Sequence, residues 1–167
     1  MGQKQFITSG LKIVQKSVFN LEELYKMMYR WFELRDYKFN EQEYKETDLG
    51  GGAKNIEIRW NAFKEKDDYV KFVIDPSFLI VALTKVEIEK EGLKVKTNQG
   101  EVEINIRAFL EKDYDNEWNK KPVRKMLREI YDKYVVGARI ESYAGELKED
   151  LYSLVNEIKA FLNLHRF

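Results

Sequence analysis

Residues able to do chemistry are few in this chain. His165 is the only histidine, and there is no cysteine. A general base must be held within hydrogen-bond reach of a fixed partner, whereas His165 stands two residues from the last position, where chains fray. An exposed histidine without a catalytic role is expected, and Ser-His-Asp chemistry and histidine-rich metal sites are not. The missing thiols exclude disulfides, Cys-ligated metals and cysteine nucleophiles. Carboxylate pairs remain, but Asp67-Asp68 and Asp113 with Asp115 sit among turn signals, where acids are ordinary. Asp113, Asp115 and Glu117 alternate as calcium ligands do. An EF-hand loop starting at Asp113 would need Gly sixth and Glu twelfth, and the chain has Trp118 and Arg124 there. Gly50-Gly51-Gly52 lies between two strand-like stretches and lacks the Lys-Ser or Lys-Thr of a phosphate loop, so it reads as a hairpin loop. The expectation is a protein without catalysis, cofactor or metal.

One cluster has a different character. Lys120, Lys121, Arg124, Lys125 and Arg128 crowd the start of a helix, the last four at three- and four-residue spacing. Cations there oppose the helix dipole by about 0.3–1 kcal/mol each. They mark a candidate site for an anionic partner such as a phosphate or lipid headgroup. The competing reading is neutralisation from within, by Asp113, Asp115, Glu117 and Glu129.

At 167 residues and 44% hydrophobic content the chain is long enough for one domain with a real core. Its 29 basic and 29 acidic residues give no global field, which argues against a sequence-specific nucleic-acid reader. The longest apolar run, residues 78–83, is far below the roughly 20 residues that span a bilayer. No secretory leader is visible, and Phe6 replaces the Ser or Thr of a myristoylation start at Met1-Gly2. A cytoplasmic protein is expected.

The elements that would position any site can be read from periodicity. Residues 55–111 alternate apolar and polar: Ile56, Ile58, Trp60, Ala62; then Val70, Phe72, Ile74; then Phe78, Ile80, Ala82, Thr84, Val86, Ile88; then Val102, Ile104, Ile106, Ala108, Leu110. Period two marks half-buried strands, and the short breaks at Asp67-Asp68, Asp75-Pro76 and residues 98–100 predict an antiparallel meander. Residues 5–18 predict a further strand, bent at Gly10, and residues 37–48 a polar edge strand. Asn20, with Glu23 three residues on, predicts a capped helix to about Arg35 whose apolar stripe is Leu21, Leu24, Met28, Trp31 and Phe32.

Pro122 opens a helical stretch to about Asn163, about 60 Å if straight. It carries two apolar seams out of phase: Val123, Leu127, Ile130, Tyr134, and then Leu147, Leu151, Leu154, Ile158, Phe161. Gly137 and Gly145 lie between them, and a break is expected at residues 136–145. The fold class is therefore α+β: an antiparallel meander packed against an N-terminal helix and a long, kinked C-terminal one, with the helix starting at Pro122 over the sheet.

Strand, helix, about six antiparallel strands and a long last helix: this order resembles the helix-grip fold of START-like proteins. In that class a curved sheet wraps the last helix, many members hold an apolar ligand between the two, and some are enzymes. Here the C-terminal helical region is about twice what one sheet could cover.

Two functions follow. The surplus beyond Gly145 suggests a non-catalytic assembly protein, its seam Leu147, Leu151, Leu154, Ile158 and Phe161 docking a partner protein or a second copy in a homodimer. This protein's own first helix is the other surface that seam could meet. The resemblance implies the alternative, a carrier of an apolar small molecule or lipid, with Trp60 and Phe72 facing the groove.

Overall fold

Period-two alternation produces the sheet. The computed structural model describes residues 2–115 and 122–163. Among these, β1 (Gln3–Phe19), β2 (Lys38–Gly50), β3 (Ala53–Glu65), β4 (Val70–Lys90) and β5 (Leu93–Lys112) form an antiparallel sheet in the order β1-β5-β4-β3-β2. The helices are α1 (Leu21–Leu34), α2 (Pro122–Ile130) and α3 (Gly137–Asn163), with a π-helical turn (Tyr131–Val135) between α2 and α3. The fold is α+β, as expected. β2 is the exposed polar edge, and Gly50-Gly51-Gly52 turns the chain into β3. β1 bends through register shifts between Phe6 and Leu11, around Gly10.

The capping signal holds in detail: Asn20 Oδ1 accepts the Glu23 amide at 3.1 Å, filling one of the donors a helix start leaves open. Leu24, Met28, Trp31 and Phe32 then turn inward along α1.

Two expected breaks are not breaks. β4 runs straight through Asp75-Pro76, where Pro76 pairs with Ile106 of β5 and the ladder to β3 lapses between Arg59–Ser77 and Ala62–Ile74. Proline donates nothing to a ladder, and the Asn61 side chain bridges this lapse instead, donating to Asp75 Oδ1 at 2.6 Å. Residues 98–100 lie inside β5. The turn is Glu91-Gly92, both left-handed (φ 54° and 78°), as a two-residue hairpin turn requires. Gly100 is small for another reason: a Cβ there would lie 3.1 Å from the Val81 carbonyl.

That crowding belongs to a bulge between Val81 and Thr84, where Ala82 adopts φ 52° and its amide donates to Asn55 Oδ1 at 2.9 Å. The extra residue reverses the alternation. Leu83 is buried in place of Ala82, and Thr84, Val86 and Ile88 leave the core face. Beyond Lys54–Leu83 and Phe19–Asn98 neither neighbour follows, so β4 and β5 continue to their turn as a two-stranded ribbon.

The helical region does break, at Val136 on the edge of the expected interval, but the two seams exchange roles. α3 covers the sheet: Leu147, Leu151, Leu154 and Ile158 are buried in the main core and Phe161 packs against it. This corrects the expectation that the helix from Pro122 does so. Ser17 Oγ and Gln15 Nε2 donate to the Leu162 carbonyl at one end, and the Tyr143 hydroxyl to Asp67 Oδ2 at the other. Between them the Tyr37 hydroxyl donates to Asp150 Oδ2 at 2.8 Å, and Lys66 pairs with Glu146 at 2.6 Å.

Gly145 sits exposed inside α3 with open space where a Cβ would go. Gly145→Ala should stabilise by about 0.5–1 kcal/mol, raising the calorimetric midpoint by about 1–4 °C. Tyr37 supplies a pH test. Burial first, and then the Asp150 charge, pushes its phenol far above the ordinary value of 10. The raised pKa means full stability below about pH 10 and a decline above it, because the unfolded chain then ionises while folded Tyr37 stays neutral. Tyr37→Phe should cost about 1 kcal/mol at neutral pH and flatten the alkaline decline of the denaturant midpoint.

Candidate functional site

The apolar-ligand candidates are core residues. Phe72 is fully buried, and Trp60 lies in a cluster of rings: Phe39 at 4.3 Å, Tyr25 at 4.7 Å and Phe78 at 5.2 Å between centroids. The space under α3, where the carrier reading put its ligand, is filled by Phe72, Ile74, Leu151, Leu154 and their neighbours. The Trp60 indole N–H is buried without a hydrogen-bond partner among the described residues, one ring behind Tyr25.

An open groove of about 590 Å³ lies instead beside Tyr25, between the first turns of α1 and the end of the sheet. Leu21 and Tyr25 form one wall, Tyr44 and Ile58 another, and Leu83 is at its base because the Ala82 bulge turned it inward. The two phenols spend their hydroxyls on carboxylates, Tyr25 on Glu41 at 3.3 Å and Tyr44 on Glu46 at 2.8 Å. Partial burial and the Glu46 carboxylate push the Tyr44 phenol up to about 12. The rings therefore offer the groove apolar surface. At the rim, Lys26 pairs with Glu22 at 2.7 Å and Lys54 with Glu46 at 3.1 Å. Lys85, at the ribbon base, has no ionic partner among the described residues. The α1 N-terminus opens on the same rim, where the Leu21 amide donates to Asn98 Oδ1 at 3.3 Å.

A second depression, of about 550 Å³, marks the outer face where the β3–β4 ladder lapses. Its polar groups satisfy one another: Asp75 takes Asn61 and Arg107, and Arg59 takes Glu43.

The anion-binding cluster is divided. Lys120 and Lys121 lie outside the described residues, as do Glu117 and His165, and the Lys125 side chain is not described. Arg124 is on the surface. Arg128 turns inward, 8% exposed, with Nη1 at 3.6 Å from Asp113 Oδ2, itself 2% exposed. This corrects its assignment as an anion ligand. A buried guanidinium requires an acid, and Asp113 at the end of β5 is placed to supply it. No cluster of acids or histidines able to hold a metal occurs among the described residues. Asp67 takes the Tyr69 and Val70 amides with Oδ1, as a turn acid does.

Sequence reasoning missed the groove because its base depends on the bulge. The signal available was Asn55 opposite the Ala-Leu pair, which a straight alternation ignores. No helix of the described residues is long and apolar enough to cross a membrane. No family model, curated protein or solved structure matches the chain.

The inward Arg128 gives a test by stability. Arg128→Ala should destabilise by about 3–5 kcal/mol in urea unfolding, because it removes one partner of a buried ion pair. Lys133→Ala, on the surface nearby, should stay within about 0.5 kcal/mol.

Proposed function

We infer that this chain is a non-catalytic binding protein for a small amphipathic molecule, held between α1 and the sheet with its anionic head at the rim. The observation that carries the reading is the groove over Leu21, Tyr25, Ile58 and Leu83. Its 590 Å³ falls within the roughly 300–1,000 Å³ of small-molecule sites, and Leu21, Tyr25, Tyr44, Ile58 and Leu83 give it apolar surface among a polar rim. Lys85, unpaired among the described residues, favours an anionic head, while Glu22 is compensated by Lys26. The helix-grip resemblance supports the same class of function with the ligand relocated: α3 is packed against the sheet, and the open groove lies beside the first turns of α1.

A fluorescent fatty acid and the matching uncharged alcohol are the probes. Both should bind, the acid more tightly. Ile58→Trp, which fills the groove, should abolish binding of both. Lys85→Glu should weaken the acid about tenfold, or 1.4 kcal/mol, and leave the alcohol unchanged. Failure of either probe to bind the wild type up to its solubility limit overturns the reading.

The outward stripe of α2 favours a second reading, carried by other residues: a module that docks protein through its C-terminal helical region.

A further inference from the structure

The ring of Trp60 is well packed and its N–H is not provided for. The side chain is 2% exposed, and Nε1 has no hydrogen-bond partner among the described residues. Buried indole N–H groups usually find an acceptor, and burial without one costs the desolvation of the donor. The rings around it are Phe39, Tyr25, Phe78 and Phe32, at 4.3, 4.7, 5.2 and 6.4 Å between centroids. Their only oxygen is the Tyr25 hydroxyl, which is engaged with Glu41. A bridging water needs two to four polar partners, which rings do not supply. Tyr25 and Phe39 stand nearly perpendicular to the indole, but an N–H on a ring face is a weak substitute for an oxygen acceptor.

Two neighbours of Trp60 line the groove. Ile58 is the preceding inward residue of β3, and Tyr25 is in edge contact with the indole. Trp60 also borders the depression on the outer face, yet the alternation of β3 turns its side chain inward with Ile58 and Ala62. The Tyr25 ring is lightly held. Its hydroxyl reaches Glu41 at 3.3 Å, beyond the usual range of about 2.5–3.0 Å for O–H···O.

We propose that the ligand of the groove carries an oxygen acceptor on its apolar body, and that this oxygen takes the Trp60 N–H as Tyr25 swings aside. The inference rests on the groove being an amphipathic-ligand site and names the ligand's class: an oxygenated amphiphile, bearing a carbonyl, ether or hydroxyl within its chain or ring. Its anionic head meets Lys85 at the rim and its second oxygen meets the indole inside, which fixes the way round it enters. A plain hydrocarbon tail leaves the donor unpaired, and a buried polar group discriminates sharply against the analogue that cannot pair with it.

Dodecanoate and its mono-oxo analogues, the carbonyl moved one carbon at a time, are the probes, read by calorimetry and by nitrogen–proton spectra of the three tryptophan indoles. One analogue should bind about tenfold more tightly than dodecanoate and move one indole proton downfield, which dodecanoate does not. Trp31 Nε1 already donates to Ser153 Oγ at 3.3 Å, so Trp31→Phe should leave the responding signal in place. Trp60→Phe should remove that signal together with the preference. Should Trp60→Phe not fold, contacts from the responding proton to the Tyr25 and Phe39 rings identify it in the wild type. Equal binding of dodecanoate and every analogue, with no indole signal moved, overturns the inference and leaves the groove reading standing. Binding of none of them overturns both. A long-lived water cross-relaxing with the Trp60 indole proton would show the donor already satisfied, and overturns the inference alone.

Discussion

The inner face of the sheet carries Ile56, Ile58, Trp60, Phe72, Ile74, Ile80, Val102, Ile104 and Ile106, each almost wholly removed from water. Side chains of this size contribute about 1.5–3 kcal/mol each when buried, so wetting even half of them would cost about as much as the 5–15 kcal/mol by which a domain is stable. A cover is therefore obligatory, and the rest of the structure depends on it. α1 supplies part, through Leu24, Met28, Trp31 and Phe32, and α3 supplies the remainder. Leu147, Leu151, Leu154 and Ile158 face inward because no other stripe of the chain matches that surface in length.

Apolar packing alone would let α3 slide along the sheet. Its register is set by polar ties spread along its length. Asp150 takes the Tyr37 hydroxyl and faces Lys64 at 3.5 Å; Ser153 takes the Trp31 indole and Arg35; the Leu162 carbonyl takes Ser17. Each tie joins α3 to a different element, so shifting by one helical turn would break all of them together. The groove beside Tyr25 stays open because α1 begins at Leu21, short of the ribbon.

What could be read from the residues follows the range of the interaction involved. The Asn20 cap, the inward stripe of α1, the period-two face of β3 and the glycine hairpin are local, and each is visible within one window of sequence. The bulge at Ala82 is not local. It depends on Asn55, 27 positions earlier, accepting the freed amide, and without it Ala82 looks like one more core position. Pro76 and residues 98–100 misled for a related reason: turn chemistry was present, but strand partners on both sides overrode it. The two helical seams were both recognised, yet periodicity says only that a face is apolar, never which surface covers it.

The orientation of α2 shows how a single polar pair decides that question. Rolling α2 by half a turn would bury Val123, Leu127 and Ile130 against the body, as hydrophobicity alone favours. It would also draw Arg128 into water and break its ion pair with the Asp113 carboxylate, 2% exposed. Breaking a buried ion pair costs several kcal/mol, comparable to what two or three apolar side chains gain. The balance is close enough for the carboxylate at the end of β5 to set the outcome. Asp113 is fixed independently of α2, since its amide donates to the Tyr69 carbonyl at 2.7 Å and so ties it to the start of β4. The sheet thus dictates where the acid sits, the acid dictates which side of α2 faces in, and the apolar stripe faces outward as a consequence. An outward stripe produced in this way is compatible with a lone folded chain. It gains from a partner without needing one in order to fold, which is the condition a reversible interface must meet.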